Sequence, residues 1–122
     1  MNPGMAVFRG LLCILWLVLL VMTIHAVQAM GIGAAATVFL ADYSHPWRAQ
    51  YNTDFAIHTL LAAAWMVYRS RAWPIGLLCA FLALNMGSMF TLAYLLVATF
   101  QAKGDMVKVL LGARAPQSQA GA

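Results

Sequence analysis

Two long uncharged runs dominate this chain. Residues 75–102 contain no charged side chain over 28 positions. A second run, GLLCILWLVLLVMTIHAVQ at 10–28, follows Arg9 and has Thr23 and His25 as its polar interruptions. About 20 apolar residues are enough for a helix to cross the hydrocarbon core of a bilayer. Both runs therefore predict transmembrane helices.

The composition favours an integral membrane protein. Of 122 residues, 64% are hydrophobic and 8% are charged, and the mean hydropathy is +0.83. Soluble domains average about half apolar and a quarter charged residues, and one of this length could not bury so much apolar surface. We therefore expect one all-α membrane domain, 1–122, in a bacterial inner membrane or an equivalent organellar membrane.

Charge, cysteine usage and motifs narrow the function. The net charge of +4 lies at the ends of apolar segments, which suits lipid headgroups, and no dense basic cluster points to nucleic acid. Cys13 and Cys79 lie in apolar runs and are predicted to be small buried hydrophobes. With three acidic residues and no phosphate loop, nucleophile elbow, HExxH or CxxC, the chain does not favour an enzyme or a metal site.

Three spans are predicted, at about 10–29, 47–69 and 75–102. The first also resembles a secretory signal, because Arg9 precedes the apolar core and VQA at 27–29 resembles a cleavage site. A retained helix is favoured, since the core contains a tryptophan and continues into more apolar sequence. Cleavage stays open as the alternative.

Two shorter segments complete the predicted architecture. Between the first two spans, residues 30–45 have too few apolar positions to cross, and we expect a short interfacial segment. After the third span, MVKVLLGAR predicts a short amphipathic interfacial helix with Lys108 and Arg114 reaching the headgroups, within a C-terminal tail at 103–122.

The stretch HPWRAQYNTDF at 45–55 is predicted to form the first turns of the second helix, because FAIHTLLAAAWMVY alone is short for a crossing. Aromatic and basic residues then lie where membrane helices meet water. The predicted interface anchors are Trp47, Arg48, Tyr51, Trp65, Tyr68, Arg69, Arg71 and Trp73. Three straight crossings place three cations on the side of the N-terminus and four on the other, so charge only weakly favours an N-terminus inside.

A polar cluster is predicted where the first helix ends and the second helix begins. Asp54 and His58 are four residues apart and share a helix face. His25 lies about one turn inside the end of the first helix, at a depth expected to match His58, with Asp42 and His45 in the loop above. Three interpretations are open: polar groups satisfied by water, headgroups or neighbouring helices; proton or substrate handling; and axial ligation of a haem or chlorophyll-type pigment by His25 or His58.

The third span carries a stripe of mostly small residues that would let helices approach closely. This predicted packing stripe consists of Ala80, Ala83, Gly87, Thr91 and Tyr94. Asn85 and Ser88 lie on a neighbouring face near the middle of the span, where we expect Asn85 to form an interhelical hydrogen bond.

From HPWRAQYNTDF through AAAWMVYRSRAW to LNMGSMFTLAYLL, the pattern resembles a family of small membrane proteins catalogued only as a domain of unknown function. The residues that match are Asp54, Trp65, Tyr68, Arg69 and Tyr94. The chain departs from that pattern in the third span, where Asn85 precedes Gly87 instead of adjoining it. The resemblance implies a three-helix membrane protein and no established activity.

The favoured function is a non-enzymatic accessory or assembly subunit. It would pack in the membrane against other subunits of a larger respiratory or photosynthetic complex, or against itself. The first alternative is an oligomeric channel or small carrier lined by Asn85, Ser88 and the cluster of His25, Asp54 and His58. The second is a haem- or pigment-binding subunit.

Overall fold

The computed structural model describes residues 2–116, which form helices and short connections without a β-strand. The six α-helices are α1 (Pro3–Met30), α2 (Ala34–Ala41), α3 (Pro46–Arg69), α4 (Trp73–Met86), α5 (Ser88–Gln101) and α6 (Met106–Leu111). Short 3-10 turns follow α2 at Asp42–Ser44 and α6 at Gly112–Arg114. The predicted all-α class is confirmed.

Local signals explain where the two long helices begin. Asn2 caps α1 by accepting a hydrogen bond from the Gly4 amide at 2.9 Å, and Pro3 follows in the first turn. His45 and Pro46 repeat this arrangement at the start of α3. Proline suits a first turn because its missing N–H would have no partner there and its φ is already helical.

α1 is the only helix among the described residues that is long and apolar enough to cross a membrane. Its best window has a mean hydropathy of 2.5, and only 6% of that window is buried within the chain. Its 28 residues extend for about 42 Å, which exceeds the roughly 30 Å of a hydrocarbon core. The next two apolar helices, α4 and α5, have 14 residues each and extend for only about 21 Å.

The continuous third helix predicted over 75–102 is wrong, because Gly87 separates α4 from α5. Its φ of 62° and ψ of −137° are not helical, and a positive φ is open to glycine at little cost. An uncharged run of 28 residues is equally compatible with one long helix or two short ones. The absence of charge over 75–102 therefore does not distinguish one long helix from two short helices.

Contacts with α3 show that α4 and α5 run in opposite directions. Near the start of α4, a Cβ on Gly76 would lie 3.1 Å from the Cα of Val67, whereas one on Gly87 would lie 2.9 Å from Phe55 Cζ. α4 thus runs back along α3. α5 then returns, because the Tyr94 hydroxyl lies 2.7 Å from Nη1 of Arg69. We call this pair of helices the α4–α5 hairpin, with its tip at Gly87.

α1 packs antiparallel to α5, on the other flank of the hairpin. Arg9 donates to Thr99 Oγ1 at 3.0 Å and to the Thr99 carbonyl at 2.9 Å. Trp16 Nε1 donates to the carbonyl of Met89, close to the hairpin tip, at 2.9 Å. The second half of α1 and the first turns of α3 therefore extend beyond the hairpin. We call the end where α1 begins, α3 ends and the hairpin opens the basic end.

Small side chains bring α3 and α4 into close contact. Buried positions recur with spacings of four and three on both helices, at Thr59, Ala63 and Met66 on α3 and at Gly76, Ala80 and Ala83 on α4. Of the predicted packing stripe, Ala80, Ala83 and Gly87 lie along α3. Thr91 and Tyr94 lie on α5, so one stripe on a single helix is corrected to contacts on two helices.

The two predicted interfacial segments contain short helices. α2 and its 3-10 turn occupy much of 30–45, and Asn52 Nδ2 ties them to α3 by donating to the Phe39 carbonyl at 3.2 Å. α6 lies across the basic end, where Val109 is buried with Ala98 and Ala102. Of the predicted tail at 103–122, residues 117–122 lie outside the described residues.

Candidate functional site

Arg69, in the last turn of α3, connects three helices at the basic end. Its Nε donates to the carbonyl of Val109 at 2.9 Å, and its Nη1 donates to the Tyr94 hydroxyl at 2.7 Å. Its Cζ lies 5.2 Å from the ring centroid of Tyr94 and 5.5 Å from that of Trp65, within the range of cation–π attraction. The guanidinium thus fixes α5 and α6 to the end of α3.

The neighbours of Arg69 reinforce this junction. Trp65 Nε1 donates to the Leu110 carbonyl at 2.8 Å, and Arg114 Nε donates to the Tyr68 carbonyl at 2.8 Å. Gly112, with a φ of 58°, leaves no room for a side chain, because a Cβ there would collide with the backbone oxygen of Arg69. Trp65, Tyr68 and Arg69, which were predicted as interface anchors, therefore also hold α6 in place.

A cleft of about 720 Å³ opens beside this junction, between the ends of α3 and α5, the start of α4 and α6. Arg69, Arg71 and Lys108 line it, and no described residue of its lining is acidic. Apolar side chains, among them Ile75 and Val97, form part of its wall. We call it the basic cleft. The sequence did not predict this cleft, because its cations lie in separate segments that meet only when the hairpin folds back.

Asp105, three residues before Lys108 in the sequence, caps α6 and does not line the cleft. Asp105 Oδ1 accepts a hydrogen bond from the amide of Val107 at 3.0 Å and a longer one from the amide of Lys108 at 3.5 Å. This is a helix N-cap, in which the carboxylate satisfies amides that have no partner within the helix. The role of Asp105 is local, and within residues 2–116 it forms no ion pair with a cation of the cleft.

Asp54 and His58 form an ion pair on α3, provided that the imidazole is protonated. His58 Nδ1 lies 3.1 Å from Asp54 Oδ1 and 3.1 Å from the Asp54 carbonyl oxygen. Both side chains are exposed, Asp54 by 57% and His58 by 75%. By spacing they continue the α3 face of Trp65 and Arg69, which contacts α5 and α6 at the basic end. We call the side of α3 on which Asp54 and His58 lie the Asp54–His58 face.

The contacts of α1 and α3 do not favour the predicted equal depth of His25 and His58. Trp16 is level with Met89 near the hairpin tip, and Phe55 is level with the tip at Gly87. Counting along both helices at 1.5 Å per residue separates the two histidines by about 15 Å along the bundle. The exposed His25 is therefore remote from the pair, and the geometry does not favour joint ligation of a haem or pigment.

The other members of the predicted polar cluster also separate. Asp42 lies 3.8 Å from Nη1 of Arg48, forming an ion pair at the start of α3. His45 caps that helix through Nδ1, which accepts from the Arg48 amide at 3.4 Å. The exposed rings of Trp47 and Tyr51 lie beside these groups with centroids 6.1 Å apart. This end of α3 is thus a local polar and aromatic patch.

The remaining predicted residues lie on the surface of the hairpin. Asn85 Nδ2 donates to the Phe81 carbonyl of its own helix at 2.8 Å, and Ser88 is exposed next to the tip. Arg71 and Trp73 are exposed at the connection from α3 to α4. Within residues 2–116, no group of three histidine, cysteine or acidic side chains is placed to hold a metal ion.

No known protein family, curated protein or solved structure matches this chain. The resemblance to a small membrane-protein family therefore stays a prediction. The function has to be argued from the Asp54–His58 face, the basic cleft and the fold that positions them.

Proposed function

We propose that the chain is an integral membrane protein with two crossings, α1 and α3, and a re-entrant α4–α5 hairpin. α3 has 24 residues and extends for about 36 Å, so it is long enough to cross, whereas each hairpin helix covers about two thirds of a 30 Å core. Because α3 is less apolar than α1, its crossing depends on cover for its polar side chains from the hairpin and from the neighbour proposed below. The contacts of Arg9 and Trp16 with α5 support a retained α1. Cleavage after residue 29 would remove the helix that makes them.

The hairpin changes the balance of charge between the two sides. Because α5 returns to the basic end, Lys103, Lys108 and Arg114 join Arg9, Arg69 and Arg71 there. Of the seven Lys and Arg residues, six lie at the basic end and only Arg48 lies at the other. Cytoplasmic segments of membrane proteins are enriched in Lys and Arg. This distribution supports an N-terminus and residues 103–116 on the cytoplasmic side.

Topology reporters test this arrangement. A fluorescent protein fused after Ala122 is expected to fluoresce in the bacterial cytoplasm, whereas alkaline phosphatase at the same position is expected to stay inactive. Insertion of the same reporters at Ile32, between α1 and α2, should reverse both results. Phosphatase activity after Ala122 would contradict the re-entrant hairpin and favour three crossings.

Within the membrane, we propose that the protein is an accessory subunit that packs against another membrane polypeptide through the Asp54–His58 face. The observation behind this proposal is that Asp54 and His58, two ionisable side chains in contact with each other, are exposed part-way along α3. His58 is eleven residues from Arg69, which corresponds to about 16 Å, near the middle of a hydrocarbon core. Ionisable groups are costly against lipid tails and are normally covered by protein or water. Headgroups could not reach His58 at that depth.

Photocrosslinking distinguishes a protein neighbour from lipid. Leu61, one turn from His58, is 64% exposed on the Asp54–His58 face, and Leu60 is 59% exposed but points about 100° away. A photoreactive side chain at position 61 is expected to give a protein adduct at least tenfold stronger than one at position 60. Asp54→Ala combined with His58→Ala should reduce the adduct several-fold. The mass of the adduct would show whether the partner is a respiratory or photosynthetic subunit or a second copy.

Equal adducts at positions 60 and 61, or none at either, would contradict a partner on this face. The carrier alternative would place water there instead. It predicts that Asp54→Asn abolishes flux in reconstituted vesicles without any protein adduct at position 61.

A further inference from the structure

The basic cleft concentrates positive charge, and no residue described in 2–116 supplies it with a counter-ion. Arg69 is oriented by its hydrogen bonds to Val109 and Tyr94, so its guanidinium is held at the edge of the cleft. Neither Arg71 nor Lys108 forms an ion pair with any residue in 2–116. Like charges brought together repel, and an anion placed between them would relieve that repulsion. The electrostatics of the cleft therefore call for an anionic ligand.

The hydrogen-bonding groups of the cleft suit a phosphate. Arg71 and Lys108 offer cationic donors, and Tyr94 and Gln101 are also among the lining residues. The Tyr94 hydroxyl accepts from Arg69, so its own proton is not used in that bond. Arginine recognises phosphate through parallel N–H donors, and lysine binds it as a point charge. The volume of about 720 Å³ exceeds what a phosphate alone would fill and lies within the usual range for small-molecule sites.

The apolar wall indicates where the phosphate comes from. Ile75 and Val97 lie in the first turns of α4 and the last turns of α5, so the cleft continues from the cations onto the apolar hairpin. Inorganic phosphate would gain nothing from that wall, whereas the acyl chains of a phospholipid would lie along it. Basic pockets between membrane helices on the cytoplasmic side are known to suit acidic lipid headgroups.

We propose that the basic cleft binds the phosphate of an anionic phospholipid from the cytoplasmic leaflet. Arg71 and Lys108 contact the phosphate, Arg69 contributes charge from its fixed position, and the acyl chains pass along Ile75 and Val97. The proposal rests on the membrane topology argued above. It does not require the partner at the Asp54–His58 face.

Native mass spectrometry of the purified full chain, titrated with lipid, tests the site. Phosphatidylglycerol and phosphatidylcholine with identical acyl chains are compared, since the two share a phosphate and differ in net charge. Wild type is expected to bind phosphatidylglycerol at least tenfold more tightly. Each cation near an anionic headgroup contributes to the free energy of lipid binding. Lys108→Gln and Arg71→Gln should therefore each weaken the binding of phosphatidylglycerol about fivefold.

Lys103→Gln is the matched control, because Lys103 is a lysine at the same end of the molecule that does not line the cleft. Its affinity for phosphatidylglycerol is expected to stay within twofold of wild type. Circular dichroism should show equal helical content in all three variants, because Arg71 and Lys108 are exposed and hold no other element in place. An equal loss in Lys103→Gln would overturn the site, since it would mean that only the net charge matters.

Competition separates the two sources of phosphate. Millimolar inorganic phosphate is expected to leave bound phosphatidylglycerol in place, and its displacement of the lipid would overturn the lipid assignment. Equal binding of the two lipids by wild type would overturn the proposal as a whole. The protein adduct formed by the photoreactive side chain at position 61 should persist in Lys108→Gln. Failure of the lipid site and failure of the proposed partner are therefore observed separately.

Discussion

In the membrane topology proposed above, replacing Gly87 with valine is expected to open the α4–α5 hairpin and to place the C-terminus on both sides of the membrane. The φ of 62° strains any residue with a Cβ, and a β-branched side chain suffers most. A Cβ at this position would also lie 2.9 Å from Phe55 Cζ. The exposed Phe55 ring can move aside, so the strained backbone at position 87 is what disrupts the turn. A helical backbone at position 87 would join α4 and α5 into one apolar helix long enough to cross.

The fusion after Ala122 measures this change. In wild type it should report one side only, whereas in Gly87→Val a substantial fraction of molecules should show phosphatase activity. Gly33→Val is the matched control, because Gly33 has a φ of −67° and nothing within 4 Å of its Cβ position. If Gly87→Val left both the reporter and the thermal unfolding curve unchanged, the hairpin described here would be incorrect.

The sequence predicts individual helices of this protein better than their directions. α3 at Pro46–Arg69 agrees with the helix predicted over 47–69, because helix entries and exits depend on local backbone chemistry. α1 begins at Pro3, seven residues before the predicted start at position 10. Gly87 was interpreted as part of a packing stripe. Glycine suits both a close helix contact and a turn. The apolar residues around Gly87 are equally compatible with a straight helix and with a hairpin, so the sequence did not distinguish the two.

The differences between the predicted and the observed sites follow from the ambiguity between a straight third helix and a hairpin at Gly87. His25 was placed beside His58 on the assumption that α1 and α3 are neighbours at equal depth, whereas α1 packs on α5. The contact of Arg69 with Tyr94 joins residues 25 positions apart and exists only when α5 returns. The spacing of Asp54 and His58 lies within one helix, so their proximity could be derived from the sequence.

Replacing Arg69 with leucine is expected to detach α6 and to lower the free energy of unfolding by about 2–4 kcal/mol, since hydrogen bonds from a charged group each contribute about 1.5–3 kcal/mol. The substitution removes the donors to Val109 and Tyr94 and leaves the Val109 carbonyl without its partner. The attraction between the guanidinium and the ring of Trp65 is lost as well. Because these contacts belong to different helices, their loss should separate the helices and not merely loosen one side chain.

Thermal unfolding followed by circular dichroism measures the loss of stability, and limited trypsin digestion measures the release of α6 through faster cleavage after Lys108 and Arg114. Arg69→Lys should recover only part of the stability, because one ammonium cannot reach the Val109 carbonyl and the Tyr94 hydroxyl with the geometry of the guanidinium fork. Arg71→Leu removes a neighbouring exposed cation and should change stability by no more than about 0.5 kcal/mol. If the Arg69 and Arg71 variants lost equal stability, the basic end would depend on total charge, and the specific junction at Arg69 would be disproved.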